Sequence, residues 1–175
     1  MRLKEKLKNN ILTMGSWISF GYSQTCEIMA RAGYEWLVID MEHGSSSFES
    51  VENMVKASLA SDIAPIVRTY DSDSKILLRT LETGVQSLMI PHVKSTKDAE
   101  EIVKSCKYFP EGNRGLSPYT INHDYTHDNI DESINESNKN IFIGILIEGL
   151  EGLNNLEEIV EIEGIDLIYL GLFDL

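Results

Sequence analysis

The sequence predicts an α/β fold organised on a parallel sheet. Three observations predict it: short apolar, β-branched runs recur along the chain, they alternate with longer stretches of helical periodicity, and several are apolar at every position. Alternation of this kind marks βα units, and a run without a polar face suits a strand covered on both sides. Six such runs are present, at residues 11–20, 36–41, 65–69, 87–91, 141–147 and 167–172.

Helical patterns fill the gaps. Residues 23–32 close on Gly33, and residues 48–60 follow a serine cluster able to cap a helix start. The stretch 74–83 begins after Asp73 and stops at Gly84. Residues 97–108 begin at a Ser95-x-x-Asp98 pattern that resembles a capping box, with Asp in the place of Glu, and end before Pro110 and Gly112. Residues 111–140 break the rhythm, being polar and rich in Asn and Asp. They read as a long loop with one polar helix over 128–138, either an excursion over a site or a sign that the strand count is off. His123 and His127, four residues apart in this stretch, are expected on the surface.

The composition bounds the function. With 175 residues, 42% hydrophobic and 25% charged, the chain is expected to form one domain over residues 1–175, with a sizeable core and no disordered tract. A net charge of −13 argues against nucleic acid and against anionic membrane, since both recruit clusters of Lys and Arg. An anionic ligand needs a local cation to reverse the sign of the field, which favours a metal or a placed arginine. Cys26 and Cys106 lack metal-site spacing and fall in helical patterns, so both are expected as buried thiols in a reducing cytoplasm. No leader pattern and no long apolar run is present, so a cytoplasmic protein is expected.

In parallel α/β folds the chemistry gathers at the carboxyl ends of the strands. The second run ends in Asp40, Glu42 and His43, the third in Arg68, the fifth in Glu148 and the sixth in Asp174. Singly, such a carboxylate often caps a helix and such an arginine often pairs on the surface. Four strands delivering acid, base or cation to one rim point instead to a site. Asp40 and Glu42 share one side of their strand. Glu148 and Asp174, from separate strands, suit a hard cation such as Mg²⁺ or Mn²⁺ that takes oxygen ligands, whereas zinc would ask for more His or Cys. His92 follows Pro91 at the end of the fourth run. No lysine closes a strand, which argues against a Schiff base.

A closed (β/α)₈ barrel takes eight βα units and typically about 250 residues, so this chain reads as such a barrel lacking its last two units. The alternative is an open sheet of six strands. A family resemblance favours the barrel. Met14-Gly-Ser-Trp17, Ala30-Arg-Ala-Gly33, Val38-Ile-Asp-Met-Glu-His-Gly44, Pro65-Ile-Val-Arg68, Leu81-Glu-Thr-Gly84, Gly112-Asn-Arg-Gly115, Ile147-Glu148 and the run from Val160 to Leu175 resemble the divalent-metal (class II) pyruvate aldolases of the 4-hydroxy-2-oxoheptanedioate aldolase type. That family also includes 2-dehydro-3-deoxyglucarate and 2-keto-3-deoxy-rhamnonate aldolases.

The resemblance implies a TIM barrel of the phosphoenolpyruvate/pyruvate superfamily, a lyase that cleaves or forms 4-hydroxy-2-oxo acids to or from pyruvate and an aldehyde, and a homo-oligomer, hexameric at full length. It implies Mg²⁺, Mn²⁺ or Co²⁺ held by Glu148 and Asp174, His43 as general base, Arg68 beside the enolate and Glu82 in the place of an acid that supports the histidine. Phe173 and Asp174 would receive the pyruvate carboxylate, and Asp40 and Glu42 stand behind the site. Leu146 replaces a glutamine common in the family, Leu172 a proline, and Glu82 a shorter aspartate. The alternatives are a citrate-lyase-like enzyme acting on acyl-CoA within the same superfamily and a non-catalytic binding module. A CoA ester would call for a basic patch, and the acidic chain shows none.

Overall fold

The structure, a computed structural model, describes residues 3–173. Six strands form one parallel sheet: β1 (Gly15–Ile18), β2 (Trp36–Asp40), β3 (Ala64–Arg68), β4 (Ser87–Ile90), β5 (Phe142–Ile147) and β6 (Leu167–Leu170). Each pairs with the next in sequence, so the order is β1-β2-β3-β4-β5-β6. A doubly wound sheet reverses its strand order part-way across. This one does not, and right-handed crossovers of a single sense place the helices on one face.

The sheet also curls. Trp17 of β1 and Tyr169 of β6, on opposite edges, have ring centroids 5.8 Å apart across the concave side. The six strands therefore form a half-barrel, and the observed strand count matches the six apolar runs.

Period-two alternation divides the core into two layers. Leu37, Ile39, Val67, Leu88, Ile90, Ile143, Ile145 and Ile147 pack under the helices. Val38, Ile66, Met89 and Leu146 face the concave side with Trp17, Trp36, Ala64 and Leu167. Both faces of the sheet are thus covered, which is why these strands read as continuous apolar runs.

The helices over the convex face are α2 (Ser23–Arg31), α3 (Phe48–Ala60), α4 (Ser74–Leu81) and α5 (Thr96–Cys106), with α6 (Ile130–Asn140), α7 (Leu150–Asn154) and α8 (Leu156–Ile159) in the later connections. The start signals act as the sequence implies. Asp73 accepts from the Lys75 amide at 2.8 Å, and Ser95 and Asp98 exchange the reciprocal bonds of a capping box at 3.2 and 3.0 Å. Gly33 and Gly84 end α2 and α4 at positive φ, 94° and 92°.

Three short α-helices escaped the sequence reading, α7 and α8 before β6 and one at the start of the chain. The basic start of the chain forms α1 (Leu3–Lys8), whose Leu3 is buried against the concave layer. Lys4 Nζ donates to the Ile141 carbonyl at 2.7 Å and pairs with Asp166 at 3.1 Å, fixing α1 beneath the strand starts. Six residues give too little periodicity to signal a helix, and tertiary contacts hold it.

Residues 111–140 hide no strand, and none of them lines the cavity at the carboxyl ends of the strands. The segment packs on the outer side of α4 and α5: Asn122 donates to the Leu81 carbonyl at 2.8 Å, and Ile121 lies against Gly84. His123, expected on the surface, is buried, bonded to the Tyr108 hydroxyl at 3.0 Å and the Ser133 hydroxyl at 2.7 Å. The polar composition misled because these groups satisfy each other beneath the segment. His127 is exposed as expected. Cys26 and Cys106 are buried and unbridged, and burial pushes the Cys106 thiol up to about 12. Among the described residues no helix is long and apolar enough to cross a membrane.

Candidate active site

The concave layer continues upward into charge. Asp40 follows Val38 by two residues, Arg68 follows Ile66 and Glu148 follows Leu146, so the strand period carries all three to the same side. Register brings them level: Val38 pairs with Ile66 and Asp40 with Arg68. Three strands thereby deliver two acids and one base to a single rim.

Arg68, only 6% exposed, is the hub. Its guanidinium lies 3.6 Å from Asp40 and 3.6 Å from Glu148, and it pairs closely with Glu42. The Trp17 ring lies 5.5 Å away on its other side. Formally, three carboxylates against one guanidinium leave two negative charges uncompensated. Water is largely excluded here, so that surplus is a strong field rather than a screened one.

Asp40 also builds the loop. Its Oδ1 accepts from the backbone amides of Glu42 at 2.9 Å and His43 at 3.1 Å, which turns the chain directly after β2. Gly44 completes the turn, since a Cβ there would lie 2.1 Å from the Asp40 carbonyl oxygen. Glu42 is thereby aimed inward at Arg68 and His92, while His43 is exposed and lines the cavity.

His92, which the sequence reading left outside the site, belongs to it. Its backbone amide donates to Glu148 Oε1 at 2.9 Å, and its ring lies 2.9 Å from Glu42 through Nε2 and 2.9 Å from Glu148 through Nδ1. Glu42, His92 and Glu148 each present a donor atom within 4.8 Å of the other two, a spacing suited to one metal ion. The available signal was placement at the end of the fourth apolar run, beside the ends already chosen.

A cavity of about 480 Å³ opens beside this cluster, lined by Trp17, His43, Arg68, Leu146, Glu148 and Tyr169, and by the turn after β6 with Gly171 and Phe173. Gly171 lets that turn pass close by, because a Cβ would come within 2.7 Å of the Glu148 Cβ. Asp174 lies outside the described residues. Trp17 and Tyr169 were also missed, since an aromatic in a strand carries no mark of which face it takes.

Glu82 stands elsewhere. It caps the carboxyl end of α4 and lines a separate cavity with Phe48, Arg79 and Tyr119. Among the described residues no hydrogen bond or ion pair joins it to His43.

The fold and this site have known counterparts. Residues 14–175 match the family described as HpcH/HpaI aldolase/citrate lyase. A hydroxypyruvate/pyruvate aldolase of Roseobacter denitrificans is 31% identical over 98% of this chain and 67% of its own length. A 2-keto-3-deoxy-L-rhamnonate aldolase of Escherichia coli is 29% identical over 98% of the chain and 64% of its own. Among solved structures, an HpcH/HpaI aldolase from Desulfitobacterium hafniense superposes with a TM-score of 0.91 at 28% identity, covering 99% of this chain and 67% of that one. The citrate synthase SbnG superposes with 0.88 at 31% identity, covering 99% and 66%. The chain thus spans about two-thirds of the length of these relatives, and with the match running from residue 14 to residue 175 it belongs to the HpcH/HpaI aldolase/citrate lyase family.

Proposed function

We propose that this chain carries the site of a divalent-metal-dependent aldolase that cleaves or forms 4-hydroxy-2-oxo acids to or from pyruvate and an aldehyde. The observation that carries the reading is the Arg68 hub: a buried guanidinium ringed by three strand-end carboxylates, with surplus negative charge, beside an open cavity. The donor chemistry fits Mg²⁺, Mn²⁺ or Co²⁺, because Glu148 offers oxygen beside a formal surplus of two negative charges. Glu148 and Asp174 would hold the ion. Bound there, it would act as a Lewis acid toward a 2-oxo acid.

The protein's own groups divide the remaining work. Arg68 supplies permanent positive charge where the enolate develops, and its carboxylate partners fix its direction. His43, exposed at the cavity mouth, takes the proton from the hydroxyl whose carbon–carbon bond breaks. Leu146 and Phe173 line the cavity and would wall the side that receives pyruvate. Glu82 makes no contact with His43 within the chain, and we assign it no step. The half-barrel corresponds to six units of a (β/α)₈ barrel, and the working enzyme is a cytoplasmic homo-oligomer, a hexamer at full length.

The similarity to a citrate synthase favours a second reading, the citrate-lyase-like one, in which the same site makes or breaks a carbon–carbon bond of citrate with an acyl-CoA ester as the partner. One panel separates the two. Protein stripped with a chelator is assayed for pyruvate release from 4-hydroxy-2-oxo acids, and for citrate formation or cleavage, with and without Mg²⁺, Mn²⁺ or Co²⁺. Metal-dependent pyruvate release is expected. Its absence from every 4-hydroxy-2-oxo acid rejects the aldolase reading, and citrate turnover would replace it.

A further inference from the structure

We propose that His92 is a nitrogen ligand of the divalent cation, standing with Glu148 and in reach of Glu42, and that it biases the site toward Co²⁺ over Mg²⁺. The inference rests on the metal-dependent reading above and adds the ligand set and the metal preference.

The geometry of one ring carries it. Both nitrogens of His92 lie 2.9 Å from carboxylate oxygens, Nε2 from Glu42 and Nδ1 from Glu148. A neutral imidazole has one N–H and one lone pair, so it satisfies only one of these two acceptors. The other contact sets a lone pair against a carboxylate oxygen unless a positive charge lies between them. A second proton or a bound cation can supply that charge. A cation there converts the unfavourable pairing into shared ligation.

Three further features fit a ligand better than a packing residue. The ring side chain is 58% exposed, so it fills no core and is open to an ion arriving from solvent. His92 has φ 59°, a left-handed conformation uncommon outside glycine. That conformation lets backbone and ring address the same Glu148 oxygen, with the amide 2.9 Å from Oε1. The carboxylate is oriented by the residue that would share its ion.

The preference follows from donor type. Mg²⁺ favours an all-oxygen, largely hydrated shell, whereas imidazole nitrogen strengthens binding of Co²⁺ along the Irving–Williams series. An all-carboxylate site would discriminate less between the two ions.

The test is Co²⁺ and Mg²⁺ titration of the metal-stripped protein by calorimetry, with the Co²⁺ visible spectrum recorded alongside. The wild type, His92→Ala and Glu148→Gln are compared. His92→Ala is expected to weaken Co²⁺ at least ~10-fold, to shift its visible band, and to change Mg²⁺ affinity far less. Free imidazole should restore much of the Co²⁺ affinity, since the ring site is open to solvent. Wild-type affinity and spectrum in His92→Ala, with binding lost in Glu148→Gln, overturns this inference and leaves the metal reading standing. No Co²⁺ or Mg²⁺ binding by the wild type overturns both. Should His92→Ala fail to fold, spin-echo spectroscopy of Mn²⁺-loaded wild type and His43→Ala decides the matter: ¹⁴N coupling kept in both supports His92, and its absence from either rejects it.

Discussion

Two buried arginines with opposite surroundings show how this molecule separates function from packing. Arg68 ends β3 and meets three carboxylates beside an open cavity. Arg114, 7% exposed, lies behind α4 and α5 and stacks 4.4 Å from the Tyr108 ring centre. Its Nε and Nη2 meet no hydrogen-bond acceptor among the described residues, whereas in Arg68 only Nε lacks one. Desolvation lowers the pKa of Arg114, opposed by Tyr108, Cys106 and Glu82 nearby. One arginine is over-compensated and the other under-compensated. The first arrangement leaves charge for a ligand. The second serves a packed polar cluster in which Tyr108, His123, Ser133 and Asn138 satisfy one another.

The largest expected effect comes from Arg68→Met. Removing the cation leaves three buried carboxylates facing each other, which costs about 3–5 kcal/mol of stability without metal. Added Mn²⁺ should recover part of that loss, because the cation binds the unpaired carboxylates at least as tightly as in wild type, and on the proposed reading aldol cleavage should vanish with the charge beside the enolate. Urea unfolding with and without Mn²⁺ measures the recovery, and calorimetry the cation affinity. A variant as stable as wild type, or one that has lost its cation affinity, breaks the comparison on the Arg68 side.

His123 gives a smaller, pH-dependent effect on the Arg114 side. Burial, with Arg114 adding to it, lowers its pKa, so the folded state prefers the neutral ring. The unfolded chain then binds its proton first as pH falls. The stabilising contribution is therefore complete above the unfolded value of about 6.5 and is lost as pH drops through the lower folded value. Unfolding midpoints of wild type and His123→Gln should diverge above pH 6.5 and converge below it. Parallel curves would show that His123 does not titrate against folding.

Arg114→Met should cost least. The stacking on Tyr108 contributes about 0.5–2 kcal/mol, while each buried N–H without an acceptor costs about 1–3 kcal/mol. Two such nitrogens together outweigh the stacking, so the variant is expected to be at least as stable as wild type, with metal affinity and turnover unchanged. A loss as large as that of Arg68→Met would show that both arginines are anchored by charge.

How much of this was legible depends on whether the signal was local. Cap residues such as Asp73 and Ser95 bond within their own turn, so their pattern is complete in the sequence. The two cavities that place Glu82 apart from His43 were not legible, because the end of a helix says nothing about which side of a barrel wall it faces. His123 was misread for a related reason. A polar stretch looks solvated until its partners, for His123 Tyr108 and Ser133 at fifteen and ten residues away, are brought against it.

The sequence by itself determined the six strands, their parallel pairing through βα units, the carboxyl-end placement of Asp40, Arg68 and Glu148, and the family. These follow from periods of two and 3.6 residues and from motifs that are written along the chain. Only the tertiary structure decided that His92 joins Glu42 and Glu148, that Trp17 meets Tyr169 across the curled sheet, and that Arg68 rather than Arg114 faces the open cavity. Those contacts join residues far apart in the chain. Their geometry is set by sheet curvature and strand register, which no local pattern encodes.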